Sequence, residues 1–219
     1  MEDFHLRLAR IGLDVVSRYG LALAGGYAVN AHGFISRPSA DVDLFGALDA
    51  DLPTATAAVV DAYRAAGLTV EIDHASRYYV RLVVTDPQLN KESKVELVAD
   101  VRLQEPVTMA IGRVLHADDV AAGKMEALFT RAECRDFIDV DALLRSSRYD
   151  REQLLTLAAR RDSGFDRDVF AQMLLGIDRF SDAEFARYAV PTANVAAIRA
   201  AMHDWHDELA ASNRGSVRG

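Results

Sequence analysis

Apolar positions recur at helical spacing from the start of the chain. Phe4, Leu6, Leu8, Ile11, Leu13, Val15 and Val16 form roughly one stripe over Met1 to Arg18, and Gly20 is placed to close that helix. The run Leu21-Ala22-Leu23-Ala24 is too short for a helix and reads as a buried strand. Beyond Gly25-Gly26, Tyr27 to Phe34 is compatible with a helix, Ser36-Arg37-Pro38-Ser39 is a polar turn, and Asp41 to Phe45 alternates as a strand. Pro53 to Ala66 reads as an alanine-rich helix, with proline in its first turn and Gly67 past its end. Strands are predicted over Leu68 to Ile72, Tyr78 to Val84 and Lys94 to Arg102, the last two joined through Asp86-Pro87-Gln88-Leu89-Asn90. In the last of them Val95, Leu97, Ala99 and Val101 share one face, and Lys94, Glu96, Val98, Asp100 and Arg102 the other.

Pro106 to Leu115 predicts a short hairpin around Gly112, and Asp118 or Asp119 is a suitable N-cap for a helix running to about Arg131. Another helix begins near Cys134. From Tyr149 onward only helices are predicted: Asp150 to Arg161, Asp166 to Ile177, Ser181 to Tyr188, and Thr192 to about Ala211, followed by a frayed tail over 212–219. The pattern divides the chain into an α/β lobe over 1–115 and a helical lobe over 116–219.

Composition narrows the class. The chain has 219 residues, half of them hydrophobic, enough for a substantial core in one domain or two closely packed lobes. No stretch approaches a membrane span, and Glu2, Asp3, His5, Arg7 and Arg10 interrupt any signal-peptide pattern, so no membrane association is expected. A single cysteine, Cys134, excludes an intrachain disulfide framework and fits a reducing cytoplasm. The net charge of −8 argues mildly against a broad nucleic-acid surface but leaves room for a local basic groove.

The chemistry concentrates between Leu21 and Phe45. On a strand Asp41 and Asp43 project to one side while Val42 and Leu44 enter the core. Two neighbouring carboxylates repel unless a cation lies between them, and Mg²⁺ (or Mn²⁺) suits a few carboxylates plus substrate phosphate oxygens. Gly25-Gly26 at a strand-to-helix junction lets backbone N–H groups approach a phosphate. A lone Asp-x-Asp or Gly-Gly is common on surfaces and in turns; the ordered combination, with Arg37 and Ser39 between them, is not. Further on, Gly123-Lys124 fails as a P-loop, since Met125 replaces Ser/Thr and the upstream glycine is missing.

The Gly-Gly-Tyr-Ala opening and the Arg-Pro-Ser-Ala-Asp-Val-Asp-Leu-Phe close of this stretch resemble the signature of the DNA polymerase β-like nucleotidyltransferase superfamily, and more closely the AbiEii-type (MenT-like) nucleotidyltransferase toxins of toxin–antitoxin systems. The superfamily more often carries Gly-Ser in place of Gly25-Gly26, and the AbiEii-like branch tolerates the second glycine. A second block, Lys-x-x-Ala-Leu-x-x-Arg followed by Arg-Asp-x-x-Asp, is similar to that family at Lys124, Ala127, Leu128, Arg131, Arg135, Asp136 and Asp139. The resemblance implies a polymerase β-like α/β catalytic lobe with a helical C-terminal lobe that completes the active-site cleft. It implies catalytic roles for Asp41, Asp43, Lys124 and Asp139, with Asp139 either orienting Lys124 or acting as a base, and substrate contacts from Gly25, Gly26, Arg37, Ser39 and Arg131. Such enzymes often take a third metal-site carboxylate from a strand beside the Asp-x-Asp pair. Glu96 in Lys-Val-Glu fits that pattern, and Asp100 on the same face competes.

The implied activity is that of a toxin moving a nucleotide, often a pyrimidine (CTP or UTP), from a nucleoside triphosphate to the 3′ end of tRNA, restrained by a cognate antitoxin. Two rivals stand beside it. One is a nucleotidyltransferase acting on a small molecule or a protein side chain, which the acidic balance suits somewhat better. The other is a catalytically silent nucleotide-binding module, against which the intact Asp41, Asp43 and Lys124 argue.

Overall fold

The computed structural model describes residues 1–216. Its chain forms two compact units. The first comprises Met1–Gly33 and Pro38–Val120; the second comprises Phe34–Arg37 and the chain from Ala121 onward.

The first unit is built on a seven-stranded mixed sheet. Its strands are β1 (Ala22–Leu23), β2 (Asp41–Ala47), β3 (Thr69–Ala75), β4 (Tyr79–Asp86), β5 (Lys91–Asp100), β6 (Val107–Met109) and β7 (Gly112–Val114), in the spatial order β3-β4-β5-β2-β1-β7-β6. Strands β2 and β5 run parallel, as do β1 and β7; the remaining neighbours are antiparallel. Alternation sorts the faces: Val42 and Leu44, Val80, Leu82 and Val84, and Val95, Leu97 and Ala99 are buried, each side chain contributing about 1.5–3 kcal/mol by leaving water when it is the size of Val or Leu. The helices α1 (Asp3–Val16) and α3 (Leu52–Ala65) pack together. The Tyr63 hydroxyl of α3 donates to the Leu8 carbonyl of α1 at 2.9 Å. A Cβ on Gly12 of α1 would meet Tyr63 Oη at 3.0 Å and Leu44 at 3.1 Å, so those side chains would have to give way.

Several boundaries differ from the sequence expectation. Helix α2 (Gly25–Ala31) starts at the glycine pair rather than at Tyr27. Strand β5 begins at Lys91, because the Asp86 carboxylate accepts the N–H groups of Gln88 and Leu89 and folds the linker into a tight turn. Asp119 is not a cap. It lies inside α4 (Ala117–Thr130), almost fully buried, and accepts the N–H groups of Leu103 at 2.6 Å and Gln104 at 2.9 Å. It thus satisfies donors of the irregular segment after β5 that have no ladder partner.

The second unit is helical, as the sequence pattern predicts. It contains α5 (Cys134–Arg145), α6 (Arg151–Arg161), α7 (Arg167–Leu174), α8 (Asp182–Ala186) and α9 (Thr192–Ser216), and it takes in the part of α4 beyond Val120. Reciprocal capping boxes start three of these helices, with Glu133 and Asp136, Asp150 and Gln153, and Ser181 and Glu184. Phe137, Phe170, Phe185 and Trp205 fill the core, Phe170 meeting Trp205 edge-on at 5.2 Å. Helix α9 continues to Ser216, past the expected end near Ala211; the rest of the expected tail, 217–219, lies outside the described residues.

Candidate active site

In the first unit, β1 leads into α2 while lying antiparallel to β2, and the Ala24 N–H donates to the Asp43 carbonyl at 2.9 Å. That pairing brings Gly25 under the Asp43 side chain. Gly25 has φ +57°, and a Cβ there would lie 1.7 Å from Asp43 Oδ2 and 2.5 Å from Cγ. The glycine expected to admit a phosphate therefore also makes room for the carboxylate. Asp41 is half-buried at the head of β2, and the Ser39 hydroxyl donates to its Oδ1 at 3.3 Å.

Register sets which β5 carboxylate lies opposite the pair. Asp43 is directly opposite Glu96, whereas Asp100 is opposite Ala47, four residues farther along β2, and accepts the Val101 N–H. Glu96 is already engaged: its Oε1 accepts the Tyr79 hydroxyl at 2.7 Å and Arg81 Nε at 3.0 Å. Burial and the Glu96 charge push the Tyr79 phenol up to about 12. Among the described residues no three or more His, Cys, Asp or Glu side chains converge as a preformed metal cage. Asp41 and Asp43 are hard oxygen donors from one strand, with close backbone approach at Gly25. Such a set fits Mg²⁺, which takes one or two carboxylates and completes its octahedron with water and substrate phosphate.

In the second unit the constellation is tighter. Asp139 on α5 is fully buried and accepts Arg37 through both oxygens, Nε to Oδ1 at 2.6 Å and Nη2 to Oδ2 at 2.6 Å. Lys124 Nζ on α4 stands 2.9 Å from the same Oδ2. Burial by itself would raise the Asp139 pKa, but Lys124 and Arg37 hold it below the ordinary carboxylate range. Burial opposes the Arg37 charge in turn, and Asp139 outweighs it and raises the pKa. Two cations around one anion leave an excess positive charge in a mostly desolvated place, where it acts strongly on an anion. Arg37 also lies over the Tyr188 ring at 5.7 Å, a partner with no sequence signal of its own.

The sequence-singled residues thus fall into separate groups. Gly25, Gly26, Ser39, Asp41, Asp43 and Glu96 belong to the sheet unit; Arg37, Lys124 and Asp139 form the buried trio of the helical unit. Arg131 forks onto Asp136, with both contacts at 2.9 Å, and fastens the end of α4 to the start of α5. Among the described residues no helix is long and apolar enough to cross a membrane.

A mixed sheet bearing an Asp-x-Asp strand beside a Gly-Gly helix, continued by a helical unit with a buried Lys–Asp pair, is a nucleotidyltransferase architecture. The model of the nucleotidyl transferase AbiEii toxin family, from type IV toxin–antitoxin systems, matches residues 8–213. The chain belongs to this family, and it is a nucleotidyltransferase of the toxin–antitoxin kind. Solved structures share the fold. MenT4, a nucleotidyltransferase toxin from Mycobacterium tuberculosis, aligns with a TM-score of 0.58 at 17% identity, covering 93% of this chain and 83% of that one. JHP933 from Helicobacter pylori aligns with a TM-score of 0.54 at 16% identity, covering 98% and 96%. No curated protein matches the sequence.

Proposed function

We propose that the protein transfers a nucleotide, with CTP or UTP favoured, from the triphosphate to the 3′ end of tRNA in the cytoplasm, and that a cognate antitoxin restrains it. The observation that carries the reading is the Asp41–Asp43 pair on β2, seated over a glycine that cannot be replaced without displacing Asp43. Asp41 and Asp43 are the residues that would hold Mg²⁺ or Mn²⁺, with Glu96 opposite Asp43 as the third carboxylate. When bound, the metal supplies charge neutralisation on the triphosphate and orients it for in-line attack.

The acceptor hydroxyl attacks the α-phosphorus and pyrophosphate leaves. Gly25, Gly26 and Ser39 position phosphates at the sheet unit. Lys124 supplies positive charge to the triphosphate, a role supported by its low exposure and its fixed ammonium. Asp139 orients Lys124 rather than acting as a base. A carboxylate held at low pKa, with both oxygens already accepting from cations, takes up a proton poorly. Arg37 serves by fixing Asp139, and Arg131 by fixing the α4–α5 joint.

The net charge of −8 favours a second reading, in which the acceptor is a small molecule or a protein. The test is transfer from each α-labelled nucleoside triphosphate in the presence of Mg²⁺ and total tRNA. Label on tRNA from CTP or UTP supports the first reading. Label on the protein or on small molecules supports the second.

A further inference from the structure

His5 is buried in the first helix and joins three segments of the sheet unit. Its Nδ1 is 2.5 Å from the Tyr27 hydroxyl, and its Nε2 is 2.9 Å from Ser93 Oγ on β5. The Tyr27 hydroxyl donates onward to the Ser39 carbonyl at 3.3 Å, and the Ser39 hydroxyl donates to Asp41 Oδ1. Ser93 immediately precedes Lys94, the residue opposite Asp41 in the sheet. A continuous polar chain therefore runs from α1 through α2 to the residues that lead into Asp41. Phe4, Leu8 and Val95 on the same elements are buried.

The donation from Tyr27 to the Ser39 carbonyl selects the proton arrangement. Each tyrosine hydroxyl has one proton to give. If Tyr27 gives its proton to the Ser39 carbonyl, the imidazole must donate to Tyr27 through Nδ1–H and accept at Nε2 from the Ser93 hydroxyl, which then gives up its 3.2 Å contact with the Lys94 carbonyl. A neutral imidazole of that tautomer serves Tyr27 and Ser93 together, and burial does hold the His5 pKa below its ordinary value. A buried polar network that is satisfied throughout locks its members, and one missing member leaves a partner desolvated and unpaired.

We infer that His5 is a positioning residue for nucleotidyl transfer: through Tyr27 it fixes the Ser39–Asp41 segment and thereby the direction of the Asp41 carboxylate. This rests on the assignment of Asp41 to the transfer site. An apolar residue at position 5 would suit the helix stripe better, so packing alone gives no reason for an imidazole there.

The two ring nitrogens can be tested separately. Asparagine places its amide near the position of Nδ1 and keeps the bond to Tyr27; glutamine places its amide near Nε2 and keeps the bond to Ser93. His5→Asn, His5→Gln, Tyr27→Phe and the His5→Gln/Tyr27→Phe double variant would be compared by backbone hydrogen exchange over 39–43 and by calorimetry of Mg·CTP and Mg·UTP binding. Expected are faster exchange and about tenfold weaker binding in His5→Gln and Tyr27→Phe, near-wild-type behaviour in His5→Asn, and no further loss in the double variant. Equal effects of asparagine and glutamine, or unchanged exchange in Tyr27→Phe, would overturn the inference. The exchange measurement decides it even if the wild-type protein binds neither nucleotide, a result that would instead count against the proposed site.

Discussion

The Asp43 carboxylate occupies the space that any side chain on Gly25 would need, with Oδ2 only 1.7 Å from the position of a Cβ. Gly25 also has φ +57°, a conformation costing a non-glycine residue about 1–2 kcal/mol. Gly25→Ala is therefore expected to move the Asp43 carboxylate by more than about an ångström and to lower the transfer rate by about a hundredfold or more. The loss of stability should be modest. Steady-state kinetics and a thermal melt, taken together, separate the two effects.

Asp139 lies between two cations in a place closed to water. Its removal in Asp139→Ala leaves Arg37 and Lys124 without their shared counter-ion and is expected to cost about 3–5 kcal/mol, read from urea denaturation at neutral pH. The pH dependence follows from the same pair. The folded pKa of Asp139 is depressed below 3.8, so its contribution is complete above the unfolded value and is lost as pH falls through the folded one. Denaturation midpoints measured between about pH 5 and pH 2 should fall more steeply for the wild type than for Asp139→Asn.

Lys124→Ala removes the cation assigned to the triphosphate and leaves Asp139 still paired with Arg37. The expected outcome is a rate loss of about 10²–10³-fold with little change in melting temperature. Lys124→Arg should recover only part of it, because a planar fork does not replace a compact ammonium at this spacing. Unchanged kinetics in Lys124→Ala would return the residue to a purely structural role.

Asp119 accepts two backbone N–H groups from the segment after β5 while almost fully buried. Asp119→Ala should destabilise the protein by about 1.5–3 kcal/mol without changing the intrinsic rate of the folded fraction. A chemical denaturation curve with activity measured well below the midpoint checks both halves of that statement.

Much of the sheet was legible because alternation is a local property. Val42 and Leu44 against Asp41 and Asp43, and Val95, Leu97 and Ala99 against Lys94 and Glu96, sort themselves by face from composition alone. Asp150, Asp166 and Ser181 were readable as helix caps for the same reason. What was not legible depends on partners distant in sequence. Asp119 looks like a cap because only the fold brings Leu103 and Gln104 to it. The pairing of Arg37 with Asp139 has no local signal, because the two are 102 residues apart. That Glu96 rather than Asp100 lies opposite Asp43 depends on the register of β2 on β5, which sequence spacing does not contain. His5 has no sequence signal, being a single histidine in an apolar helix; its meaning comes from Tyr27 and Ser93.

The most direct test of the central claim is label transfer by the wild-type protein and by Asp41→Asn and Asp43→Asn. These replacements keep side-chain shape and remove the charge that would hold a divalent metal. With Mg²⁺, total tRNA and α-labelled CTP or UTP, the wild type should label the tRNA, and each variant should lose the activity while melting near the wild-type temperature. Transfer by either variant at the wild-type rate would contradict the assignment of Asp41 and Asp43 as the metal-holding, catalytic pair.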